Sequence, residues 1–242
     1  MVTANQTHRE VKNPQISGRQ LADYMAGSER ARRAIAQDCK YQARVRVIQH
    51  HDAKLAIGKF LRDGASDLAA LSAAADFLRT RWTDDHFERS LYDNNADYIA
   101  RFAHVATLVQ LPAGDMSPPG KSVVLNISGV KVTIDFQFRI SRVTKTNKLK
   151  IGAGILRYSK GRALAEEVAN WQSAFILGCL RDEKAIEHAE PESKLCLTID
   201  AYSGRTYSAP GDSSSRYANM KAACASLFER WPQIKPPDGA VL

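Results

Sequence analysis

The sequence predicts a mixed α/β (α+β) protein in which a helical N-terminal part packs on a mixed β-sheet. Apolar residues recur at helical spacing through the first 110 residues. The period then switches to strict alternation over Val130–Ile140. Beyond it, one further strand-like run is followed by helix, strand and helix patterns. A chain of 242 residues holds about one large domain or two small ones. The expected division is a helical part over 1–111, a loop over 112–120 and a mixed core over 121–242, packed as one unit.

The first helix is expected in Ile16–Met25, where Ser17 caps and Leu21, Tyr24 and Met25 share a stripe. Gly27-Ser28 ends it, and Ser28 caps a second helix through Ile35. Lys54–Leu61 is read as helical, stopping near Gly64, and Asp67 caps a helix bearing Leu68, Leu71, Ala75 and Leu78. Ala96–Leu111 carries Ile99, Phe102, Ala103, Ala106 and Val109 on one face. Pro112–Gly120 is rich in proline and glycine and reads as loop. Val123–Ile127 and Val130–Ile140 form a hairpin through Ser128-Gly129, the second strand turning Val130, Val132, Ile134, Phe136, Phe138 and Ile140 to a core. A basic loop over Ser141–Leu149 leads to a strand over Lys150–Tyr158, then a helix over Ala163–Leu180. A strand over Leu195–Ala201, a turn at Ser203-Gly204, a short run Arg205–Tyr207 and a helix from about Ser215 to Arg230 complete the chain.

Composition excludes several classes. With 44% hydrophobic and 25% charged residues the chain is neither disordered nor membrane-spanning, since no apolar run nears the roughly 18 residues a span needs. The N-terminal stretch lacks signal and transit character, so a cytoplasmic location is expected. Cys39, Cys179, Cys196 and Cys224 are widely spaced and read as reduced, buried thiols. The net charge of +8 is concentrated. Residues 121–164 hold ten Lys or Arg against the single acid Asp135, so that segment alone carries +9. Such a segment predicts a polyanionic partner: nucleic acid, with an anionic membrane surface or an acidic protein as alternatives. The expected nucleic-acid contacts are Lys145, Lys148, Lys150, Arg157 and Lys160.

No phosphate loop, dinucleotide fingerprint, nucleophile elbow or H-E-x-x-H is present. His50 and His51 are adjacent and read as a solvated pair. What remains is Asp135 on a strand, then Ile155–Gly161 ending the next strand, then Gln172 on a helix. This order resembles the PD-(D/E)XK nuclease superfamily, in particular its RecB-like branch. The hairpin aspartate of that family is matched by Asp135 after Gly129, the D-Y-K-T-G strand end by Arg157-Tyr158-Ser159-Lys160-Gly161, and the helix glutamine by Gln172. The opening helix S-x-S-x-L-x-x-Y is echoed by Ser17–Tyr24. The resemblance implies a restriction-endonuclease-like core that engages DNA, DNA being favoured over RNA. Its implied site residues are Asp135, Lys160, Glu166, Glu167 and Gln172, with Asp135 as metal ligand for Mg²⁺ or Mn²⁺ if the centre is active.

Departures from the pattern fall at the chemical positions. Arg157 replaces the second carboxylate, Ser159 replaces the lysine, and Lys160 lies one place late, which turns its side chain to the other face if the strand continues there. Glu166 or Glu167 would have to supply a displaced carboxylate. The expected function is therefore a nucleic-acid-binding protein with a degraded catalytic centre. The alternatives are an active metal-dependent nuclease with a migrated carboxylate, and a non-enzymatic interaction protein. Plainer readings stand beside these: Asp135 paired with Lys131 or Arg139, Gln172 on a helix surface, Asp200 organising its turn, and Tyr158 packing structurally.

Overall fold

The computed structural model describes residues 6–44, 50–159, 161–183 and 188–242. A short strand β1 (His8–Glu10) and strand β2 (Gln15–Ser17) precede helix α1 (Gly18–Ala26). The predicted cap is a full capping box: the Gln20 amide donates to Ser17 Oγ, and the Gln20 side chain accepts from the Ser17 backbone. Helix α2 (Glu29–Lys40) is capped by Ser28 as expected and outruns the predicted end by a full turn, leading into β3 (Tyr41–Ala43). Helices α3 (His51–Arg62), α4 (Leu68–Thr80) and α5 (His86–Val105) follow. Asp67 caps α4. Asp85 caps α5 ten residues ahead of the predicted start, because the polar run through Asp93-Asn94-Asn95 hides its helical stripe.

Strand β4 (Asp115–Ser117) lies inside the segment expected to be loop, added antiparallel to the edge of the main sheet. The hairpin β5 (Val123–Ile127) and β6 (Val130–Ile134) turns at Ser128 and Gly129, both at positive φ. Next come β7 (Phe138–Val143), β8 (Leu149–Arg157), helix α6 (Glu166–Glu183), β9 (Glu190–Asp200), β10 (Thr206–Ser208) and α7 (Ser213–Arg230).

The strands form a five-stranded mixed sheet, β10-β9-β8-β7-β4, and a three-stranded sheet, β2-β6-β5. Strands β8 and β9 are parallel across the α6 crossover, whereas β7 and β8 are antiparallel. Helices cover both faces of the larger sheet. Helices α3, α4 and α5 bury Ile57, Leu71 and Phe102 against Phe138, Ile140, Leu156, Leu197 and Ile199. On the other face Phe175 and Leu177 of α6 and Met220 of α7 pack with Ala153, Ile155 and Cys196, and with the small sheet. Burial on two faces explains why β8 reads as a continuous apolar run. No helix of the described residues is long and apolar enough to cross a membrane. All four cysteines are free and buried, and burial pushes each thiol up to about 12.

The predicted strand Val130–Ile140 is corrected in one respect. Its six alternating apolar side chains are all buried, yet the ladder breaks at Asp135-Phe136-Gln137. Strand β6 stays in the small sheet and β7 enters the large one. The alternation survives because both sheets turn the same side of the chain to apolar cores. That break positions the site.

Candidate functional site

Half of the cations of the basic segment are held by acids from elsewhere in the chain. Arg139 pairs with Glu183 at 3.1 Å and donates to the Pro119 carbonyl. Arg142 pairs with Glu192. Lys148 and Lys150 both reach Glu190. Arg157 is 5% exposed and pairs with Asp23. Lys145 stands exposed in the β7–β8 loop, and Lys160 lies outside the described residues. Of the expected nucleic-acid contacts, then, Lys148, Lys150 and Arg157 already hold carboxylates. The acids responsible sit on α1, the end of α6 and the start of β9, so a charge count along 121–164 cannot include them.

A different set of cations converges on Asp135. The β6–β7 crossing buries Phe136 and leaves the Asp135 carboxylate exposed. It faces a cleft of about 820 Å³ whose walls include Arg19 of α1, His50, His51, Lys54 and Arg62 at and along α3, and Pro118–Ser122 with Lys121. Ser122 donates its hydroxyl to Asp135. Gln137 fixes the floor: its side-chain oxygen accepts from the Leu156 amide at 2.6 Å, and its carbonyl accepts from Arg62 at 3.1 Å. Asp135 is the one acidic side chain lining the cleft among the described residues, and neither Lys131 nor Arg139 is its partner. Arg19, Lys54 and Lys121 make no side-chain hydrogen bond or ion pair among those residues, in contrast to the hairpin cations.

Beneath the cleft lies the end of β8. Phe138 is opposite Gly154, where the β7–β8 ladder ends, and beyond it the Leu156 amide is tied to the Gln137 side chain on the cleft floor. The Arg157 guanidinium donates to Asp23 at 2.5 Å, to Gln172 Oε1 at 3.3 Å and to the Arg19 carbonyl at 3.2 Å. Burial lowers its pKa and Asp23 opposes that shift. Gln172 is fully buried, not a surface residue, and its Nε2 has no partner among the described residues. Tyr158 stacks on buried Tyr98 at 3.9 Å between ring centroids, and His50 meets both rings edge-on. His50 is thus half-buried rather than solvated, and burial, then Lys54, then Arg19 hold its pKa below the usual imidazole range. Asp200 organises its turn as expected, accepting from the amides of Leu164 and Tyr202 and from the Ser203 hydroxyl.

The fit to a divalent cation is poor. Glu166 and Glu167 are exposed at the start of α6, and neither lines the cleft. Glu167 instead pairs with Arg216 of α7 at 2.7 Å. No group of three or more His, Cys, Asp or Glu among the described residues is arranged to hold a metal. Arg157 puts a fixed positive charge at the level where a second carboxylate is expected, which repels Mg²⁺ or Mn²⁺ and attracts phosphate.

Sequence reasoning missed Arg19, Lys54, Arg62 and Lys121 as a group. A partial signal exists, since Lys54, Gly58 and Arg62 recur every four residues and share one face of α3. Gly58 lies beside the Gln137 backbone on that face. No protein-family model and no curated protein matches the chain.

Proposed function

We propose that the protein binds nucleic acid, DNA in preference to RNA, by seating the phosphate backbone in the cleft beside Asp135. A PD-(D/E)XK-like core with a degraded metal centre accounts for an arginine at the end of β8 held by Asp23 and by the buried Gln172. One observation carries the reading: Arg19, Arg62 and Lys121 converge on a cleft with a single carboxylate among the described residues, while Arg139, Arg142, Lys148 and Lys150 of the β7–β8 pair are held by Glu183, Glu192 and Glu190. Phosphates complete what the protein leaves uncompensated.

Neutralising about three phosphates gives a slope of log affinity against log salt of about −2 to −3. Fluorescence anisotropy with an unmodified oligonucleotide, repeated at several salt concentrations without divalent ions, measures it. Binding that ignores salt, or no binding at low salt, removes the reading.

A second reading has its own observation. A separate groove of about 500 Å³ carries Arg30, Arg32, Arg33, Arg230 and Lys235 around Tyr24, Leu227 and Ile234. Glu29 neutralises only part of that charge, pairing with Arg33 and Arg230. This face suits an acidic protein segment with apolar side chains, and competition by such a peptide that leaves oligonucleotide affinity unchanged is its test.

A further inference from the structure

Lys54 is the cleft residue that simple phosphate binding leaves unexplained. It springs from the first turn of α3, lies half-buried in the cleft wall and has neither a carboxylate nor a hydrogen-bond acceptor on its amine among the described residues. A lysine that merely neutralises charge is better placed in water. Arg19 of α1, His50 ahead of α3 and Asp135 at the β6–β7 crossing line the same cleft, and Arg157 at the end of β8 acts on Lys54 through its charge. Burial, Arg19 and Arg157 all disfavour the ammonium form, and Asp135 alone favours it, so the pKa is lowered. A desolvated lysine among other cations is the usual arrangement of an amine that attacks carbonyls.

We propose that Lys54 forms an imine with the aldehyde of an abasic position in nucleic acid and breaks the strand there by β-elimination. This rests on the nucleic-acid reading of the cleft. The neutral Lys54 amine adds to C1′ of the ring-opened sugar, and the C1′ oxygen, taking a proton from solvent, leaves as water to give a protonated imine. Asp135, an exposed carboxylate in the same cleft, accepts the C2′ proton, and the C–H electron pair moves into an enamine. The enamine expels the 3′ phosphate, which leaves with the C3′–O electron pair. Water then hydrolyses the unsaturated imine, returning the neutral lysine amine and releasing the aldehyde end, while the iminium proton and the C2′ proton held by Asp135 pass to solvent. The water lost in the first step is regained in the last, and neither a metal nor a redox partner enters. Arg19, Arg62 and Lys121 stabilise the departing phosphate by charge.

The test uses the full chain and a DNA oligonucleotide with one abasic position, with sodium borohydride added to reduce the imine to a stable amine. A denaturing gel reads the covalent adduct, and omission of borohydride reads strand cleavage. Affinity for the intact oligonucleotide is measured alongside. The expected result is adduct and cleavage for the wild type. Both should fall at least tenfold further than affinity does in Lys54→Arg, which keeps the charge, and in Lys54→Gln. Adduct formation should also level off below the ordinary lysine range of about 10.4. Equal trapping by wild type and Lys54→Arg overturns the proposal, because another amine is then responsible. Tight binding of intact DNA without trapping overturns it and leaves the nucleic-acid reading standing. Failure to bind either oligonucleotide overturns both.

Discussion

His50 shows what burial does to a single titrating side chain in this cleft. Its ring sits against Tyr98 and Tyr158, its Nδ1 has no partner among the described residues, and Lys54 and Arg19 add positive potential. The folded-state pKa is therefore below the unfolded value of about 6.5. As pH falls through that value the unfolded chain takes up the proton first. The stability associated with neutral His50 is present above about pH 6.5 and is lost as pH falls toward the folded-state pKa. His50→Asn should flatten that part of the profile in urea melts between pH 5 and about 8, and identical profiles would contradict the account. The sequence shows two neighbouring histidines but not the tyrosines, one of them 48 residues away, that bury the first. Arg157 has the same history. Its unusual place at a strand end is visible in the sequence, whereas its partner Asp23 belongs to a helix whose packing only the fold reveals.

At the scale of elements, local chemistry was readable wherever it was self-sufficient. Ser17, Ser28 and Asp67 cap helices through their own neighbours, and the Ser128-Gly129 turn brings adjacent strands together. Strands β2 and β4 were not readable. Each has three residues, and β2 pairs in parallel with β6 more than 100 residues along, so neither has a period to detect. The break at Asp135 was hidden for the opposite reason, since the alternation runs through it unbroken. Strand β8 makes a sharper case. Gly154 faces the Phe138 ring so closely that an added Cβ would lie 2.1 Å from a ring carbon. Gly154→Ala should destabilise the protein by about 1–3 kcal/mol through overpacking. Chemical denaturation measures the loss, and a neutral effect would show that β7 and β8 are not held as tightly as described.

Across the whole molecule, charge and fold answer different questions. The α/β architecture, with its N-terminal helices and mixed sheet, follows from the order of helical and alternating patterns, whereas the division into two sheets and the edge strand β4 do not. The location of uncompensated charge does not follow either. Segment 121–164 carries the excess, but folding delivers Glu183, Glu190 and Glu192 to it and gathers Arg19, Arg62 and Lys121 at the Asp135 cleft. A linear tally and a folded surface therefore point to different binding residues.

That difference gives the most direct test of the central claim. Two double variants, Arg19→Gln with Lys121→Gln and Lys148→Gln with Lys150→Gln, each remove two positive charges and are compared by anisotropy with the same oligonucleotide at the same low salt. The cleft pair should weaken binding at least tenfold and reduce the salt slope by about 1 to 2. The hairpin pair, whose lysines already hold Glu190, should change affinity less than threefold. Equal losses from both pairs, or a larger loss from the hairpin pair, would contradict the placement of nucleic acid in the cleft.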